Sequence, residues 1–272
     1  MAVKNNRITR LEQRMSLVIV GALVLLAVLL FLLLKPDLFS DSRKPTLVLF
    51  CAAAVRLPME QIRNDFKREH GVHIDVQYGG SNTLLSQLQL SHAADLYLAA
   101  DDSYLELANT RGLIQKTAPI AHMVPVIIVP DGNPRGIRGI ADLLQEGIRV
   151  ALGNPDLAAI GKRTRTALRA SGHWEAMVEH VTASGVFQPT VPDVANAVKI
   201  GSVDAGIVWS ATAAQIAGIQ AISAPELHVG VSQVAIGITS WSALPEAARN
   251  FVHYITDPDG GQKTFQAMGY HP

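Results

Sequence analysis

The chain has 272 residues, 49% of them hydrophobic and 17% charged, with 23 Lys and Arg set against 23 Asp and Glu. That balance is uneven: residues 1–44 hold seven basic and three acidic residues, which leaves 16 basic and 20 acidic in residues 45–272, a formal net of −4. A domain of that sign has no field for gathering a phosphate backbone, which speaks against general nucleic-acid binding, and a single cysteine, Cys51, excludes an internal disulfide framework and a cysteine-built zinc site.

The first feature along the chain is residues 15–34 (MSLVIVGALVLLAVLLFLLL), with 18 apolar residues out of 20 and no charge. Twenty helical residues span roughly 30 Å, the thickness of a bilayer's hydrocarbon core. The run is longer than the h-region of a secretory signal, and the nearest small-x-small pattern, Ser40-Asp41-Ser42, lies well past its end. The expectation is an uncleaved transmembrane signal-anchor within a 1–44 leader and linker. Lys4, Arg7, Arg10 and Arg14 ahead of it place the N-terminus in the cytoplasm, against a weaker opposite pull from Lys35, Arg43 and Lys44. The rest of the chain then lies on the periplasmic or extracellular side. Cys51 is not read as a lipidated cysteine, because Val48-Leu49-Phe50 before it lacks small residues; it reads as a buried thiol in a strand.

Short apolar runs then alternate with amphipathic stretches. Residues 46–53 (TLVLFCAA) predict a buried strand. Residues 58–69 place Met59, Ile62 and Phe66 at helical spacing before the stop signal Gly71. Strands are expected at 72–78, 94–99, 124–129, 149–152, 205–209 and 231–239, and helices at 81–90, 101–111, about 158–171, 192–200, 244–256 and 259–268. This alternation predicts an α/β protein with mainly parallel sheet and helices on both faces. No internal repeat and no long Pro/Gly/Ser linker is present, so two lobes would have to be joined by short crossover strands.

Motifs for enzymatic chemistry are missing: there is no HExxH, CxxC, GxSxG or GxGxxG. The nearest phosphate-loop match, residues 156–163 (DLAAIGKR), has Asp where the first Gly belongs and Arg163 where Ser or Thr should follow Lys162. His70 and His73 form the one close histidine pair, which reads as a solvated turn rather than a metal site. Neither an enzyme nor a cofactor is expected, and Cys51 has no local partner for nucleophilic work.

Several expected helices instead open with small or turn-forming residues directly after a strand. These are Gly79-Gly80-Ser81-Asn82-Thr83, Asn154-Pro155 through Ala159-Ile160-Gly161, and Val191-Pro192-Asp193-Val194. A helix N-terminus carries unpaired N–H groups and about half a positive charge, so it can hold an anion without Lys or Arg. Any α/β protein has such turns, and they make a site only where the fold brings several together.

From Leu47 onward the chain resembles the molybdate-binding proteins of ABC importers, within the type II periplasmic solute-binding superfamily. The matching stretches are Phe50-Cys51-Ala52-Ala53-Ala54, Phe66 through Val72, Ser81-Asn82-Thr83-Leu84, Ala93 through Asp101, Gly112-Leu113-Ile114, Val150 through Pro155 and Val203 through Trp209. They run in family order across nearly all of the 228 residues after the leader. The resemblance implies a two-lobed type II periplasmic-binding-protein fold joined by crossover strands, with lobe 1 at 45–127 and 229–272 and lobe 2 at 128–228. It implies a tetrahedral oxyanion (molybdate or tungstate) held by neutral donors, and an ABC permease as partner.

Carried over by position, the family's contacts fall on Ala54, Ser81, the backbone amides of Ile160 and Val194, and Trp209. Two of these depart from the family pattern. Ala54 replaces a serine and loses its hydroxyl, while Trp209 replaces a tyrosine and donates through Nε1–H instead. A pocket of donors without acceptors favours fully deprotonated dianions. The alternative implied by the two departures is the same scaffold retuned for another small solute, or serving as a surface sensor.

Overall fold

The computed structural model describes residues 20–31 and 46–271, in two units, Met1–Arg43 and Lys44–Pro272. In the first unit residues 20–31 are helical, and their large apolar side chains from Val20 to Phe31 are more than half exposed. Among the described residues no helix is long and apolar enough to cross a membrane. The remainder of the 15–34 segment and its flanks lie outside the described residues.

The second unit begins with β1 (Thr46–Ala52), a 3-10 turn (Ala53–Val55), α1 (Arg56–His70), β2 (His73–Gly79), α2 (Ser81–Ser91), β3 (Leu96–Ala99), α3 (Asp102–Thr110) and β4 (Ile114–Met123). It continues with β5 (Pro125–Pro130), α4 (Ile140–Leu143), β6 (Val150–Gly153), α5 (Ala159–Ala170), α6 (Trp174–Ser184), β7 (Val186–Gln188), α7 (Val191–Lys199), β8 (Ala205–Trp209), α8 (Ser210–Ala214) and β9 (Ile219–Ile222). A 3-10 segment (Pro225–Gly230), β10 (Ser232–Thr239), α9 (Pro245–Thr256) and α10 (Gly261–Ala267) complete it. α1 shows the local logic. Met59, Ile62 and Phe66 bury one face, and Gly71 ends the helix in the left-handed region, its N–H bonding the Lys67 carbonyl at 3.0 Å.

The strands form two five-stranded sheets, ordered β2-β1-β3-β10-β4 and β7-β6-β8-β5-β9. The chain leaves the first sheet after β4, and Pro125 already pairs with Trp209 in the second. It returns through the 3-10 segment to β10. These two passages correct the expectation of mainly parallel sheet. β2-β1-β3 and β7-β6-β8 are parallel, but β10 lies antiparallel to β3 and β4, and β5 antiparallel to β8 and β9. A strand entering from the other sheet arrives from the opposite direction, so it inserts antiparallel at the side of each parallel trio.

The strands β4, β7 and β9 and the helices α4, α6 and α8 are elements the sequence pattern did not announce. β4 lies at the sheet edge, with Gln115, Lys116 and Thr117 exposed, Pro119 interrupting it and a register shift opposite Val234/Ala235. Edge position, proline and a bulge all blur the two-residue period that marks a strand. β7 and β9 are three and four residues long.

Candidate ligand-binding site

In both sheets the parallel strands end toward the same gap. The starts of α2 (after β2), α5 (after β6) and α7 (after β7) meet there, in the crevice at the carboxyl ends of strands where α/β sheets bind ligands. A cavity of about 10 Å³ lies between them, walled by Ala52, Ala53 and Ala54 after β1, by Gly79, Gly80 and Ser81, by Ala100 after β3, by Ala158 through Ile160, by Thr190 and Val191, and by Trp209. Every wall residue is neutral. The volume is small, which suits one compact group better than a sugar or peptide.

The wall is rich in donors. None of the helices α2, α5 and α7 has a side-chain cap hydrogen bond at its N-terminus, so first-turn N–H groups face the cavity without a side-chain partner, except that the Asn82 N–H of α2 bonds the Leu157 carbonyl. Ser81 is 2% exposed, and its Oγ accepts the Ala100 N–H at 3.2 Å, which leaves its own proton to donate. Trp209 is fully buried, and its Nε1–H has no hydrogen-bond partner. A buried donor without a partner costs about 1–3 kcal/mol, so the indole N–H is a group waiting for an acceptor.

Three carbonyls of the same wall are already taken. Tyr270 Oη donates to the Ala54 carbonyl at 2.7 Å, Tyr97 Oη to the Ser81 carbonyl at 2.7 Å, and Ser232 Oγ to the Ala100 carbonyl at 2.8 Å. Burial raises the pKa of Tyr97 and Tyr270, so both remain protonated donors. The cavity therefore presents N–H and O–H hydrogens, and three of its carbonyls are bonded by internal hydroxyls. Nothing in the sequence pattern singled out Tyr97, Ser232 or Tyr270, because each acts from 16 to 216 residues away from the carbonyl it occupies.

Four of the five residues expected at the site (Ala54, Ser81, Ile160 and Trp209) line this cavity. The fifth, Val194, is buried in α7 outside the wall, and its N–H bonds the Thr190 carbonyl at 3.3 Å. Pro192 has no N–H, so the part of that turn reaching the wall is Thr190 and Val191. Ile160 reaches it because Gly161 lets α5 seat against the end of β6: a Cβ there would meet the Gly153 carbonyl and the Asn154 backbone.

Charged groups stand just outside. Asp101, fully buried, caps α3 by accepting the Ser103 N–H at 3.0 Å and pairs with Arg163 of α5. Burial pushes its carboxyl up, but the bonds from Arg163 and Ser103 and the charges of Arg163 and Lys162 win, and its pKa is lowered. Cys51 is buried and its thiol is held well above its ordinary pKa by burial and by the Glu60 charge, so it carries no thiolate. His70 packs against Phe66 and edge-on to Tyr254, and His73 meets Asp75 at 3.0 Å. Among the described residues no group of three or more potential metal ligands comes together.

Known proteins agree with this architecture. Residues 47–271 match the family model described as bacterial extracellular solute-binding protein. The molybdate-binding protein ModA of Mycobacterium tuberculosis H37Rv is 30% identical over 219 residues, covering 79% of this chain and 80% of that protein. Among solved structures, the periplasmic molybdate-binding protein of Azotobacter vinelandii superposes with a TM-score of 0.71 at 19% identity, over 83% of this chain and 99% of its own. The sulfate-binding protein SubI of Mycobacterium tuberculosis H37Rv also gives 0.71, at 18% identity over 84% and 87%. At such identities the two structures speak for the fold alone. The resemblance to molybdate-binding proteins of ABC importers, read from short stretches, extends over the whole second unit.

Proposed function

The chain belongs to the bacterial extracellular solute-binding protein family, and from that premise we propose that it captures a tetrahedral oxyanion of the molybdate and tungstate class between two lobes and delivers it to an ABC permease. The observation that carries this reading is a small, neutral, donor-lined cavity with three of its carbonyls occupied from behind. Such a wall favours a fully deprotonated dianion, whose oxygens all accept, over a group that needs an acceptor for its own proton. Its lobes are 45–127 with 229–272 and 128–228, a division supported by the two separate sheets, although β5 begins at Pro125. Ala54, Ser81, Ile160 and Trp209 are the proposed contacts, and Val191 holds the wall position expected of Val194, whose N–H is used inside α7. The exposed apolar side chains along helical residues 20–31 support a membrane anchor holding the binding unit on the periplasmic or extracellular side.

The test is a thermal-shift series on the full chain in detergent with molybdate, tungstate, sulfate and phosphate. A ligand at 100 times its Kd stabilises the native state by about 2.7 kcal/mol. Shifts with molybdate and tungstate, and none with phosphate at a pH where it carries a proton, are the expected result. A phosphate shift as large as the molybdate shift would defeat the donor-only reading. No shift with any of the four would pass the function to the second reading, a scaffold retuned for another solute or acting as a surface sensor, which the loss of a hydroxyl at Ala54 and the indole of Trp209 favour.

A further inference from the structure

Lys162 and Arg163 stand near the start of α5, where the helix dipole disfavours cations, and no acidic residue in that first turn offsets them. A local rule broken beside a site points to a use elsewhere. The use lies across the gap. Arg163 Nε donates to Asp101, and its Nη2 donates to Asp102 Oδ1 at 3.2 Å. Lys162 Nζ bonds Ser103 Oγ and lies 4.7 Å from the centre of the Tyr104 ring. Residues 101–104 follow β3 of the first sheet, whereas α5 follows β6 of the second. Asn82 of α2 likewise donates through its N–H to the Leu157 carbonyl at 3.1 Å and through Nδ2 to the Asp156 carbonyl at 2.7 Å. All of these bonds run directly between the two layers.

We propose that Arg163, seconded by Lys162, is a closure latch: it holds the two lobes together on one flank in the absence of ligand, and so sets the fraction of unliganded protein already in the binding-competent form. An apparent Kd equals the intrinsic one divided by that fraction, which makes Arg163 a positioning residue for affinity without touching the bound group. Asp101 is the matching half, since a carboxylate buried as the cap of α3 regains water only when the lobes part. The proposal rests on the reading that the lobes close around a ligand, and its primary readout needs no ligand.

Spin labels on Leu90→Cys and Ile200→Cys, both exposed and one in each layer, report the interlobe distance of the full chain in detergent by pulsed electron resonance; buried Cys51 stays unlabelled. The unliganded protein should show a short-distance population that shrinks in 1 M salt and in Arg163→Met, and molybdate affinity should fall roughly five- to tenfold in that variant. An unchanged distance distribution in unliganded Arg163→Met overturns the latch. The double variant Asp101→Asn, Arg163→Met separates closure from charge. If Arg163 served only to neutralise Asp101 beside an anion, the double variant would recover wild-type affinity, and that recovery overturns the proposal. If no anion binds at all, the distances still decide the latch while the ligand assignment fails separately.

Discussion

Asp101 and Asp204 are both buried carboxylates bonded to arginine, yet they do different work because of where their partners come from. Asp204, just before β8, accepts from Arg149, just before β6, through N–H at 2.9 Å, Nε at 3.1 Å and Nη2 at 3.2 Å, with Arg135 Nε adding a bond at 3.2 Å. All three residues serve the second sheet, and β6 and β8 are neighbouring parallel strands there. This cluster staples one layer. Asp101 belongs to the first layer and Arg163 to the second, so the same chemistry spans a joint. An ion pair within a layer adds to folding, whereas one across a joint adds to the difference between two folded arrangements.

The widest separation of these two effects should come from two glycines. Gly80 has φ −67°, a backbone any residue tolerates, but a Cβ there would sit 2.5 Å from the Leu157 carbonyl and 2.9 Å from that of Pro189, both on the far side of the gap. Gly185 is its counterpart within one layer, where a Cβ would run into the Val150 carbonyl and come within 3.1 Å of Val181 Cα. Gly80→Ala should leave the unliganded melting temperature within a degree or two and weaken anion binding at least about a hundredfold, because the lobes no longer meet. Gly185→Ala should cost more than about 2 kcal/mol of stability with the affinity of the folded fraction kept. Melts with and without molybdate decide this; a Gly80→Ala protein that binds normally would show that the closed arrangement is not the one that binds.

Trp209→Phe comes next. The variant removes the partnerless Nε1–H and keeps an aromatic ring, so binding should weaken by roughly one to two decades. The unliganded protein should change little, since lost packing and the relief of an unpaired buried donor oppose each other. Isothermal calorimetry with molybdate checks it, and undiminished affinity would remove the indole from the ligand shell. Smaller again is Asp204→Asn, expected to lower stability by about 1 kcal/mol with no change in Kd. It mirrors Arg163→Met, which moves Kd more than stability. Equal effects of the two variants on both quantities would erase the distinction between staple and joint.

The unequal legibility of these features in the sequence has a physical cause. β1, α1, α2 and β8 announce themselves because burial on one or both faces forces a period or an apolar run; Ser81 and Ile160 stand at the starts of α2 and α5, where a strand–helix turn marks them, while Trp209 comes only from the family resemblance. What the sequence hides is relational. Val194 carries no mark showing that its N–H is already inside the α7 ladder. Tyr270 shows no sign that it satisfies Ala54, 216 residues earlier. Residues 156–163, read as a failed phosphate loop, contain the two cations that bridge the layers. The sequence pattern shows a basic pair at the wrong end of a helix, and only the packing of α5 against residues 101–104 shows why it stands there.

The smallest effect tests the comparison through protons. Burial pushes the carboxyls of both Asp101 and Asp204 up, while bonds from Arg163 and Ser103 in one case, and from Arg149 and Arg135 in the other, pull each below its ordinary value. A carboxyl lowered on folding contributes stability that is fully present above the unfolded value near pH 3.9 and is lost as pH falls through the lower folded value. Both clusters therefore predict a melting temperature that is flat near neutrality and declines below about pH 4. Asp204→Asn and Arg163→Met should each make that decline shallower. The interlobe distance should behave differently: protonating Asp101 weakens the joint, so the unliganded protein opens as pH falls, and Asp204→Asn should open along the same curve as wild type. If instead the Asp204→Asn curve were flat, the staple and the latch would be one coupled network, and the assignment of Arg163 to closure alone would have to be given up.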